Sequence, residues 1–173
     1  MSTLNGLFSL RTPRDLLEKL DDDFRRLHAA APASRSTQFA AFDFFATAHH
    51  LSDWLSEATR ESLPSCRNYP EGKLVEHLAV GIKHFVAKDK RHKTVQQTGV
   101  SQGAFDPAVF DSAVFDTGGL YVLLEDGSSV DVFLLAKRVR DHWHEELGKR
   151  YPKAGISGLW SQASRPAVAS ALP

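Results

Sequence analysis

Phe39-Ala-Ala-Phe-Asp-Phe-Phe-Ala-Thr-Ala-His-His-Leu-Ser-Asp-Trp-Leu55 is the stretch that decides the fold. Wound as a helix, it places Phe44, Ala48, Leu51 and Leu55 on one stripe. Phe42, Phe45 and His49 lie on a neighbouring side. A helix apolar over so wide an arc is packed from several directions. The spacing therefore predicts the central helix of a bundle, over about residues 38 to 60, with Ser36 or Thr37 as its cap.

Outward from that helix, Leu63-Pro-Ser-Cys-Arg-Asn-Tyr-Pro70 breaks the chain. A third helix is expected over about residues 71 to 87, with Leu74, Leu78, Ile82 and Phe85 facing inward. On the other side, about residues 12 to 28 read as the first helix. Thr12 is a good N-cap, Pro13 suits the first turn, and Asp15 sits near the positive helix end. Leu16, Leu20, Phe24 and Leu27 form its stripe, while Asp21, Asp22 and Asp23 read as a solvated face. Ala29 to Ser36 is a small-residue linker.

Beyond Phe85, Lys88-Asp-Lys-Arg-His-Lys93 is a basic cluster at a helix end. Residues 94–119 look irregular and hold an echo, Phe105-Asp106, Phe110-Asp111 and Phe115-Asp116. Three units do not make a solenoid, so the segment reads as a loop or short strands. Leu120-Tyr-Val-Leu-Leu124 reads as a strand, Asp126-Gly127 as a hairpin turn, and Val130 to about Phe133 as the return strand. A last helix then runs to about Leu147 on a core face of Ala136, Val139, Trp143 and Leu147, ended by Gly148 and Pro152. The fold class expected is mainly α: a helical bundle with a small β-hairpin, about 120–133, before the last long helix. Residues 1–150 make one domain, and 151–173 a loose tail rich in Ser, Ala, Gly and Pro.

Composition narrows the function classes. Lys+Arg and Asp+Glu both number 21, so the net charge is zero. That argues against a surface built wholly for nucleic acid, leaving only a local patch at Lys88, Lys90, Arg91 and Lys93. One cysteine, Cys66, excludes an internal disulfide and a multi-cysteine zinc site, and fits a reducing cytoplasm. Met1 to Leu10 has no basic residue ahead of its apolar run and is not expected to be a secretory signal. No apolar run is long enough to span a bilayer, so no membrane association is expected.

Chemistry points to the two histidine-bearing helices. Asp43, His50, Asp53 and Glu57 share one sector of the central helix, and His50 and Asp53 are close enough to touch. His77 and His84 sit two turns apart on the third helix with Gly81 between them, where a backbone or ligand has room to approach. If the helices pack antiparallel, the two stripes face each other. Candidate catalytic residues are then His50, Asp53, Lys83 and His84, the aspartate orienting an imidazole as an acid–base pair. A divalent metal held by His50, Asp53, His77 and His84 is the alternative, although no cofactor is favoured. A purely structural hydrogen-bond network is the third reading.

Ala46-Thr-Ala-His-His-Leu-Ser-Asp-Trp54 and Leu78-Ala-Val-Gly-Ile-Lys-His-Phe85 resemble a group of small bacterial and phage proteins of unknown function. That group's pattern is His-x-x-Asp-Trp, then Lys-His-Phe, then a hairpin and a helix with a Trp. Here these are His50 to Trp54, Lys83 to Phe85, Leu120 to Val130, and Trp143. A looser likeness is to the HEPN superfamily, helical bundles that include RNA-cutting toxins and non-catalytic relatives. Their nuclease motif falls on Arg138 and His144, with Val139 where active members carry a polar residue. The leading expectation is a non-catalytic cytoplasmic interaction or accessory module, bound to a protein partner or dimeric through helix faces. The alternatives are a HEPN-like nuclease or another acid–base enzyme using His50 and Asp53, and a metal-dependent enzyme.

Overall fold

The computed structural model describes residues 8–83, 94–104, 109 and 117–152. Five helices and three strands are found among them: α1 (Pro13–Ala29), α2 (Arg35–Thr59), α3 (Leu63–Cys66), α4 (Gly72–Lys83), β1 (Val95–Gln102), β2 (Gly118–Leu124), β3 (Ser129–Asp131) and α5 (Val132–Arg150). The protein is mainly α, with a small antiparallel sheet before the last helix.

Helix α1 starts as its sequence dictates. Thr12 Oγ1 accepts from Asp15 N–H, and Asp15 Oδ2 accepts from Thr12 N–H at 2.8 Å. This reciprocal box satisfies two otherwise orphaned donors. Helix α2 starts earlier than expected: Ser34, not Ser36 or Thr37, is the cap, accepting from Thr37 N–H at 3.2 Å. Asp131 caps α5 by accepting from Leu134 N–H at 2.8 Å, so the return strand stops at Asp131 and Phe133 is already helical.

The core lies where α1, α2 and α5 meet. Phe44, Ala48, Leu51 and Leu55 of α2 have no exposed surface, and neither do Leu135, Ala136, Val139, Trp143 and Leu147 of α5. Leu16, Leu17, Leu20 and Leu27 close the α1 side. Helix α4 packs on α2 with Leu74, Val75 and Ala79 as its buried face. Leu78 and Ile82, expected to be buried, are only partly so. They pack against the core from its edge and line a groove of about 640 Å³ between α2, α4 and the sheet. Phe85 lies outside the described residues.

The sheet has the order β1-β2-β3. Strand β1 occupies ground that the sequence marks as irregular. Its pairing with β2 runs from Val95↔Leu124 to Gln102↔Gly118, with a register shift between Val95 and Gln97. Gly99 faces Tyr121, and a Cβ there would sit 2.5 Å from the tyrosine ring. Only glycine lets the ring lie across β1 at this point. Val122 packs into the core and ties the sheet to α5.

Asp23 departs from the expected solvated face. It is 0 % exposed. Lys19 Nζ donates to Asp23 Oδ2 at 2.7 Å, Thr47 Oγ1 does so at 2.7 Å, and Arg26 donates to Oδ1. A carboxylate leaves water at such a position only when charge and hydrogen bonds replace the solvent. Asp21 also has partners, Arg140 Nε at 2.6 Å and His144 Nε2 at 2.8 Å.

Candidate functional site

Three elements bring one polar constellation together. Helix α2 carries His49, Ser52 and Asp53 toward α4, and α3 ends on Arg67. Pro64 in the first turn of α3 and the close packing at Gly72 fix where Arg67 stands. A Cβ at Gly72 would lie 2.2 Å from the Arg67 carbonyl oxygen, so α4 can begin there only with glycine.

Arg67 is the hub. Its Nε donates to Ser52 Oγ at 3.2 Å. One terminal nitrogen reaches Glu76 Oε1 at 3.4 Å. The other donates to Asp53 Oδ1 at 2.9 Å and faces His49 Nε2 at 3.4 Å. One guanidinium thus binds two α2 polar side chains, an α2 imidazole and an α4 carboxylate, a use of its forked geometry that lysine does not share. Burial and the Arg67 charge both hold the His49 pKa below its ordinary value. A neutral His49 with Nε2 as acceptor and its proton on Nδ1 matches that contact.

His50 and Asp53 meet as the sequence predicts, with Nδ1 3.3 Å from Oδ2. The contact is long and open to water, the His50 side chain being 62 % exposed and Asp53 38 %. Both line a cleft of about 680 Å³ with Arg67, Glu76 and Lys83, floored by Ala46, Ala79, Val80 and Ile82. Lys83 is exposed and has no partner among the described residues.

The remaining candidates fall elsewhere. Asp43, expected in the same sector, turns to α1 and accepts from Arg26 at 2.9 Å. His77 is buried on the other flank of α4, where its Nδ1 accepts from Val95 N–H at 2.9 Å, in the second groove. It therefore does not converge with His50 and Asp53. His84 and the basic residues Lys88, Lys90, Arg91 and Lys93 lie outside the described residues. A Cβ at Gly81 would meet nothing within 4 Å, so no backbone of the described residues approaches there. Arg138 reaches Glu71 at 3.4 Å while His144 reaches Asp21, so the two take partners on different elements. Among the described residues no group of three or more His, Cys, Asp and Glu side chains is placed to hold a metal ion.

Sequence reasoning missed Arg67, His49 and Glu76. The signal available was a lone arginine in the proline-bounded break between two polar-striped helices. Cys66, beside it, is buried, and burial pushes its thiol pKa up, away from reactivity. No helix among the described residues is long and apolar enough to cross a membrane. Comparison with family models, with curated proteins and with solved structures yields no match to this chain.

Proposed function

We propose that the chain is a non-catalytic cytoplasmic interaction module that holds an acidic segment of a protein partner in the α2–α3–α4 cleft. The observation that carries this reading is the division of labour among the cleft's cations. Arg67 is consumed by Ser52, Asp53, Glu76 and His49. Lys83 has no partner among the described residues and faces the same space. An ammonium with no partner among the described residues, on the rim of a half-apolar cleft, favours a carboxylate next to an apolar side chain. Ala79, Val80 and Ile82 supply the apolar wall.

Titrating the isotope-labelled protein with a short Glu-Leu-Glu peptide tests it. The expected result is amide shifts centred on Lys83, His50 and Asp53 that vanish in Lys83→Ala. Equal binding of the Gln-Leu-Gln counterpart would sink the reading.

One observation favours the acid–base alternative. Arg67 fixes Asp53 Oδ1, and Oδ2 points at His50 Nδ1, which leaves His50 Nε2 toward the cleft. A general base is built in this way. Among the described residues that line the cleft there is no Ser, Thr or Cys for His50 to activate, and this keeps the binding reading ahead.

A further inference from the structure

We propose that two copies of this chain pair through the outer edge of β1, forming one continuous six-stranded antiparallel sheet. Strand β1 lies at the end of the order β1-β2-β3, so among the described residues one of its two backbone edges is unused by the sheet. An unpaired edge presents a row of N–H and C=O groups that another extended chain satisfies. The sequence of this edge is Val-Gln-Gln-Thr-Gly-Val-Ser-Gln, without a charge or a proline. Edges that must stay single carry lysine, proline or a bulge. The one irregularity lies between Val95 and Gln97, where His77 already takes the Val95 N–H. From Gln97 to Gln102 the register is unbroken, and Gln97, Thr98, Val100, Ser101 and Gln102 are exposed.

A second copy suits this edge better than a foreign strand, because the strand carries nothing that repels itself. A two-fold axis normal to the sheet pairs β1 with its mate antiparallel and keeps matching faces together. Val100 pairs with Leu120 in the sheet and so shares its face. Val100 is 42 % exposed and Phe42, across the groove, 50 %. Pairing sets the two Val100 side chains on the same face and joins the two grooves, each carrying an exposed Phe42. Backbone pairing and apolar burial then act on the same contact. This places the dimer on the sheet edge and not on the helix faces.

Sedimentation and amide exchange on the full chain test the proposal. The expected mass at high micromolar concentration is twice 19.1 kDa, falling toward the monomer on dilution. Amide protection of residues 97–102 should rise with concentration, while that of α5 stays constant. Thr98→Lys with Val100→Lys puts like charges across the axis and should weaken the dimer at least roughly a hundredfold. Leu134→Lys, on an exposed apolar residue of α5, should leave it unchanged. A monomer at every concentration overturns the proposal. So does a dimer that survives the two lysines with its fold intact by circular dichroism. If that variant does not fold, exchange on the natural chain decides: protection of residues 97–102 independent of concentration overturns it.

Discussion

On the α1 side of α2, Asp23 is sealed with 1 % of its side chain exposed, among Lys19, Arg26 and Thr47. On the α4 side, Asp53 keeps 38 % of its side chain in solvent, between Arg67 and His50. Both carboxylates sit among donors brought by different helices. The first has no route to water, so its network can only hold the fold. The second opens on a cleft with an imidazole nitrogen and with Lys83, whose ammonium has no partner among the described residues, so a ligand can reach its network. The difference teaches that burial, and not the presence of polar residues on an apolar helix, separates a sealed polar cluster from one that a ligand can reach.

The comparison breaks most visibly at Asp23. Asp23→Asn removes the charge that answers Lys19 and Arg26 and should cost about 3 kcal/mol in urea unfolding. Asp53→Asn should cost less than about 1 kcal/mol, because solvent re-hydrates what is left. Equal losses at the two sites would show that the cleft is as structural as the α1–α2 interface. An effect between these two is expected at the hub. Arg67→Ala should cost about 1 to 2 kcal/mol by loosening α3 and α4 from α2, and Arg67→Lys should recover little of it.

Much of this architecture was readable in the chain. Ala136, Val139, Trp143 and Leu147 recur at helical spacing, and all four have no exposed surface. Local periodicity is enough where a helix has one core face. Strand β1 is legible only as one of two readings, a loop or short strands, because its exposed residues follow no inside–outside alternation and it exists through pairing with β2. Such pairing leaves no trace in a window of sequence. The burial of Asp23 is hidden in the sequence for a similar reason. It stands in a run of three aspartates, and its burial depends on Thr47 in the next helix. The His50–Asp53 contact was legible as a three-residue spacing on one helix. Its anchor, Arg67, was not, because the turn that aims it is set by packing at Gly72.

The pH dependence sharpens the cleft side further. His49 has its pKa held below the ordinary 6.5, first by burial and then by Arg67. The unfolded chain therefore takes up this proton before the folded one. Stability should fall as pH drops below about 6.5, until the folded imidazole itself protonates. His142, lowered by burial, adds to the same slope. His49→Gln should flatten the stability–pH curve just below about pH 6.5, leaving the His142 share. An unchanged slope would mean that His49 does not sit neutral against Arg67. Asp21 acts in a separate, more acidic window. Burial raises its pKa, but hydrogen bonds from His144 and Arg140 outweigh this and lower it from 3.8. Its contribution is lost only as pH falls through that lowered value.

The smallest expected stability effect is at Lys83, and there it separates binding from folding. The ammonium is exposed, and no described residue answers it. Lys83→Ala should therefore change the unfolding free energy by no more than about 0.5 kcal/mol. Binding of an acidic peptide should fall at least roughly tenfold, because a charge-assisted contact in a partly dry cleft is lost. Lys83→Arg should keep most of that binding, since the position asks for a cation and not for a particular fork. Reading both quantities on the same variants gives four outcomes with different meanings. Lost affinity with intact stability places the recognising charge on Lys83. Lost stability would make Lys83 part of the frame, like Arg67. Intact affinity with intact stability would move recognition to His50, and His50→Gln would then weaken binding. Loss of both would erase the contrast between the two sides of α2.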